Sequence, residues 1–163
     1  MTDWNAVSAF MGAVVPWPGS EQDPGYVNLH YDLPPDPKFK GKSRGVPGWP
    51  WRNVDELVGR AGWMLGRENY KNIWYCTSLQ AQKGLNTKGK AKAVRKAEHA
   101  LALKAIWLDC DVKPNDTSGK NYASEAEALK AILDFQLKAG LPKPSAIVNS
   151  GSRFHVYWIA TSR

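Results

Sequence analysis

Cysteine is scarce in this chain of 163 residues: there are two, Cys76 and Cys110, in no CxxC pair. That excludes a zinc knuckle and allows one disulfide at most, and both read as buried thiols. Long apolar runs are missing as well. The longest weakly polar stretch, Ala6 to Trp17, is interrupted by Ser8, Gly12 and Pro16 and falls short of the roughly 20 residues that span a bilayer. The start, Met1-Thr2-Asp3-Trp4, has no basic segment leading into an apolar one, so no secretory signal is expected and a cytoplasmic location follows. No GxxxxGK[ST] or GxGxxG pattern and no serine elbow occurs, which removes P-loop ATPase, dinucleotide-binding and serine-hydrolase readings. Acidic residues are the minority, 15 against 22 Lys and Arg for a formal charge of +7, which favours a polyanionic partner, nucleic acid or nucleotide first.

What is present describes one soluble globular domain. Hydrophobic residues make up 43% and charged residues 23%, neither disordered nor fibrous. Up to Arg52 the chain is rich in Pro, Gly and Trp and reads as irregular, with a short strand at Tyr26–Tyr31 packed by Trp17, Trp49 and Trp51 and a mobile basic loop at Lys38 to Arg44. From residue 53 to 163 an α+β core is expected. Asn53-Val-Asp-Glu56 resembles a capping box, and Val54, Leu57, Val58, Ala61, Met64 and Leu65 keep helical period to about Gly66. Asn72 to Ser78 reads as a strand. The basic stretch of Lys83, Lys88, Lys90, Lys92, Arg95, Lys96 and Lys104 starts as a loop and turns helical over Ala91 to Ala102. Ala105 to Asp111 is a strand. Ser124-Glu-Ala-Glu127 caps a helix that buries Leu129, Ile132, Leu133 and Leu137 and ends at Gly140 and Pro142. Ser145 to Asn149 and Arg153 to Ala160 are strands joined by a Ser150-Gly151-Ser152 turn.

Strand periodicity places Asp109 and Asp111 on one face, with Cα atoms about 6 to 7 Å apart, and Ile106, Leu108 and Cys110 on the other. Two convergent carboxylates suit Mg²⁺ or Mn²⁺ and leave coordination positions for phosphate oxygens. In the last strand Arg153, His155 and Tyr157 share a face: Arg offers a fork of donors to phosphate, His a further donor, and Tyr a ring to stack on a base or sugar. His30 and His99 read as structural or surface residues. A rolling-circle endonuclease needs two histidines one residue apart, and Phe154-His155-Val156-Tyr157 supplies one.

Asn72 to Ser78, the basic segment, Ile106-Trp-Leu-Asp-Cys-Asp-Val-Lys113, a helix and Pro144 to Trp158 together resemble the archaeo-eukaryotic primase superfamily, most nearly the primase-polymerases of phages and plasmids. The resemblance spans residues 72–158. It implies an RRM-like catalytic sheet and a metal-dependent nucleotidyl transfer, as DNA primase or DNA polymerase in replication. It implies that Asp109 and Asp111 bind Mg²⁺ or Mn²⁺ and that His155 contacts the incoming nucleotide, with Ser150 and Arg153 in the same motif. It also makes Lys88, Lys90, Lys92, Arg95 and Lys96 a surface for the DNA template or nucleotide phosphates, with nucleoside triphosphates as substrates and a replicative helicase as partner. A small residue usually precedes that histidine by two positions, where this chain has Arg153. The family's third motif, an apolar residue followed by Asp, is not reached by Arg163, so an incomplete domain is expected, its third acid supplied elsewhere. The competing expectations are a non-catalytic RRM-like module that binds nucleic acid through Trp and Tyr, and an inactive fragment.

Overall fold

The computed structural model describes residues 2–33, 47–67, 70, 72–86 and 88–161; the basic loop expected at Lys38 to Arg44 lies outside the described residues. By contacts the chain divides into two units, Met1–Lys104 and Ala105–Arg163. The boundary therefore falls after Lys104, while the change in composition falls near Arg52.

The first unit opens with a helix where irregular chain was expected. Oδ1 of Asp3 accepts the backbone N–H groups of Asn5 and Ala6 at 3.0 and 3.1 Å, satisfying two donors that every helix start leaves open. α1 (Trp4–Val14) follows and buries Met11 and Val14. The irregular segment after it is pinned by Arg52, whose guanidinium donates to the carbonyls of Ser20, Glu21, Asp23 and Gly25. β1 (Val27–Tyr31) is the central strand of an antiparallel sheet between β2 (Gly48–Trp51) and β3 (Ile73–Tyr75). All five of its residues are buried, as for a strand covered on both faces. α2 (Val54–Leu65) starts where the capping residue indicates, Asn53 Oδ1 accepting from Asp55 and Glu56, and ends at Gly66. It packs against α1 and β2.

The strand expected over Asn72 to Ser78 is split into β3 and β4 (Ser78–Gln80), and the helix expected over Ala91 to Ala102 is absent. In its place are a hairpin of β5 (Gly84–Leu85) and β6 (Ala91–Lys92), one 3₁₀ turn at Ala97–His99, and β7 (Ala100–Leu103) paired antiparallel with β4. Alanine and lysine favour a helix, but distant partners claim this backbone. Ala93 N–H donates to Gly48, Lys96 N–H to the Gln80 side chain, and Asn28 Nδ2 to the Val94 carbonyl. Tertiary pairing outweighs a propensity of tenths of a kcal/mol per residue.

In the second unit, β8 (Ala105–Asp111), α3 (Glu125–Lys138), β9 (Ala146–Asn149) and β10 (Arg153–Ile159) form one sheet and one helix. β10 lies between β8 and β9 and runs antiparallel to both. The outer strands are thus parallel to each other and joined through α3, a split β-α-β arrangement. Val112, Ala128, Ile132, Phe154, Val156 and Trp158 make the core, with Leu108 and Cys110 packed on it. The Ser124 hydroxyl accepts from Glu127 N–H, and the Glu127 carboxylate reaches back to Ala123 N–H. The stripe expected to be buried is buried at Ile132 alone. Ala128 and Ile132 set the contact line, and Leu129, Leu133 and Leu137 lie progressively further around the helix from it, by about 80°, 120° and 160°, exposed at 37%, 55% and 74%. Ile106, expected in the core, is also exposed.

The fold is mixed α+β, as expected. Among the described residues no helix is long and apolar enough to cross a membrane. Both cysteines are unpaired thiols and partly exposed, not buried.

Candidate functional site

Register builds the polar face of the second unit. β10 pairs with β8 so that Arg153 stands opposite Asp111, His155 opposite Asp109 and Tyr157 opposite Trp107. Directly opposed residues in antiparallel strands share a face with Cβ atoms about 4.5 to 5.5 Å apart, which gathers two acids, a guanidinium and an imidazole. Phe154, Val156 and Trp158 point the other way, into the core.

Arg153 bridges the acids, NH1 lying 3.4 Å from Asp109 Oδ2 and Nε 3.3 Å from Asp111 Oδ1. His155 Nε2 is 3.7 Å from Asp109 Oδ1, and Lys113 Nζ is 3.8 Å from Asp111 Oδ2. Every carboxylate oxygen thus faces a nitrogen of a basic side chain. The four side chains Asp109, Asp111, Arg153 and His155 are between 33% and 47% exposed. Half-exposed pairs of this length contribute about 0 to 1 kcal/mol each, so exchanging one partner for another costs little. Cys110, on the opposite face, has its thiol pushed up by burial and, secondarily, by the charges of Asp109 and Asp111.

One expected participant is placed differently. Tyr157 is 5% exposed, so its ring offers no open stacking surface. Ser150 sits in the β9–β10 turn, its hydroxyl donating to the Arg153 carbonyl at 3.3 Å. That turn depends on Gly151, whose φ of 93° lies in the region glycine alone enters without strain. Lys113, which the sequence reading quoted without a role, joins the face next to Asp111.

No family model, curated protein or solved structure matches the chain.

Two carboxylates on one open face are hard oxygen donors of the kind that Mg²⁺ and Mn²⁺ take, with most of the coordination shell left for water or phosphate oxygens. Among the described residues no three His, Cys, Asp or Glu side chains converge on one point, so two acids are what this face offers. Beside them, Arg153, His155 and Lys113 supply donors matched to a polyanion.

The expected basic surface belongs to the first unit. Asn86 Oδ1 accepts from the backbone of Lys88 and Lys90 and shapes the β5–β6 turn. Lys88, Lys90, Lys92 and Arg95 are exposed and have no ion-pair partner among the described residues. Lys96 pairs with Glu98 at 2.9 Å, and Lys104 donates to the Gly12 carbonyl. The segment is a charged hairpin and not a helix face. His30 is buried and His99 lies 3.6 Å from Glu98, in keeping with structural and surface roles.

One cluster was missed in the sequence. Arg60 lies over Trp49 and Trp63, and Arg67 lies over Trp63 as well. The spacing 60, 63, 67 on a helical pattern was its signal, since such residues share one face. Beneath them Tyr31 packs on Trp49 and Tyr70, and burial, followed by the Tyr70 hydroxyl, pushes the Tyr31 phenol up against the opposing influence of Arg60.

Proposed function

We propose that the chain is the catalytic part of a metal-dependent nucleotidyltransferase of the primase-polymerase kind, acting on a DNA template and nucleoside triphosphates. The observation that carries this reading is the register that sets Asp109 against His155 and Asp111 against Arg153 on one open face. The resemblance of residues 72–158 to the archaeo-eukaryotic primase superfamily supplies the reaction. The strand order, with β10 between β8 and β9 and α3 as crossover, is compatible with three strands and one helix of an RRM-like sheet.

The reaction is in-line attack of a primer 3′ hydroxyl on the α-phosphate, forming a P–O bond as the bond to pyrophosphate breaks. Asp109 and Asp111 would hold a divalent cation, which would supply Lewis-acid activation and offset charge on the phosphates. The chain's own residues position the triphosphate. Arg153 exchanges its weak pairs with the carboxylates for a fork on phosphate oxygens, and His155 donates from Nε2 to a neighbouring oxygen. The exposed lysines of the β5–β6 hairpin track the template backbone.

Arg153 already lying across both carboxylates favours a second reading, a nucleic-acid-binding module without catalysis or an inactive remnant. Incorporation of a labelled deoxynucleotide or ribonucleotide onto a primed template with Mn²⁺ separates the two. Catalysis predicts extension that Asp109→Ala or Asp111→Ala abolishes; a folded chain that binds template and extends nothing supports the second reading.

A further inference from the structure

The geometry points to a binding platform for single-stranded nucleic acid on the first unit, built from Trp49, Arg60, Trp63 and Arg67 and independent of the acidic face. The Arg60 guanidinium carbon lies 4.5 Å from the centroid of Trp49 and 4.0 Å from that of Trp63, and the Arg67 carbon lies 4.0 Å from Trp63. Arg60 is thus shared by two rings and Trp63 by two guanidinium groups.

Stacking uses the faces of a guanidinium and leaves its N–H edge unspent. Neither arginine has a carboxylate partner among the described residues, although Asp55 and Glu56 open the same helix. Two guanidinium groups are thus held against aromatic rings, with less rotamer freedom left to lose on meeting a phosphate. Arg67 and Trp63 are both exposed, and a guanidinium or indole plane is of the size and polarity onto which an unpaired base stacks. Trp63 keeps 43% of its surface exposed, open to such a contact. A duplex offers phosphates but no unpaired base to complete the stack, which is why the fitting ligand is a single strand.

Titration of the full chain with a fluorescein-labelled oligothymidylate, without divalent metal and over a range of salt, tests this. The wild type is expected to bind, with an affinity that falls as salt rises. Arg60→Gln/Arg67→Gln is expected to weaken binding and to reduce the slope of log affinity against log salt by about 1.4, two contacts at about 0.7 each. Because no divalent metal is present, no extension can occur, and binding read this way stands apart from the metal-dependent polymerase reading. Unchanged affinity and slope in a folded Arg60→Gln/Arg67→Gln chain, or absence of binding by the wild type, overturns the proposal and leaves the cluster as packing alone. If the double variant does not fold, the Nε–H resonances of Arg60 and Arg67 in the wild type decide: movement on titration supports the platform, and stationary signals overturn it.

Discussion

Arg153 lies within 3.4 Å of both acids of β8, and its long, half-exposed contacts keep it available to a stronger anion. The neighbouring Asp116 is engaged differently. Its carboxylate accepts from Ser118 N–H, the Ser118 hydroxyl and Asn121 Nδ2, and these bonds, the Ser118 hydroxyl foremost, lower its pKa from 3.8 to about 2. A depressed carboxylate stabilises the folded state fully above its unfolded value and loses that contribution as pH falls through the folded one. The loss is therefore expected between pH 3.8 and about 2. A carbon-detected carboxyl titration should place the Asp116 midpoint near 2 and move it upward in Asn121→Ala; a wild-type midpoint at the ordinary value contradicts this assignment. At this scale the acids, Arg153 and His155 were legible because alternation along a strand is fixed by backbone geometry. Whether Tyr157 is open was not, because that depends on what covers the face.

Elements bounded by local chemistry were legible, and elements bounded by distant partners were not. Asn53 and Ser124 announce α2 and α3 through side chains that bond their own first turns, and β8 matches its expected span of Ala105–Asp111. α1 was hidden by its Gly12 and the prolines after it, although Asp3 and the apolar positions Val7, Met11 and Val14 carried the signal. The basic segment misled because its backbone bonds to Gly48, Gln80 and Asn28, far off in sequence. α3 shows how burial differs from periodicity: Ile132 is 2% exposed and Leu137 74%. Ile132→Ala should therefore cost about 2 to 5 kcal/mol, and Leu137→Lys should stay within about 0.5 kcal/mol. Urea unfolding of the two variants checks the contrast, and equal losses contradict the contact line drawn through Ala128 and Ile132.

For the whole molecule, the first unit carries a lysine hairpin and an arginine–tryptophan cluster, while the second unit carries paired acids on an open sheet face. Each suits phosphate by itself: the basic groups of the first unit meet it directly, and the acids of the second meet it through a divalent ion. The measurement closest to that claim is binding of a fluorescent nucleoside triphosphate to the chain with and without Mn²⁺, alongside Asp109→Ala/Asp111→Ala after both are shown to be folded. The account predicts Mn²⁺-dependent binding that the double variant loses. Binding equal in both proteins and indifferent to Mn²⁺, or none at all by the folded wild type, contradicts a metal-assisted nucleotide site on β8 and β10.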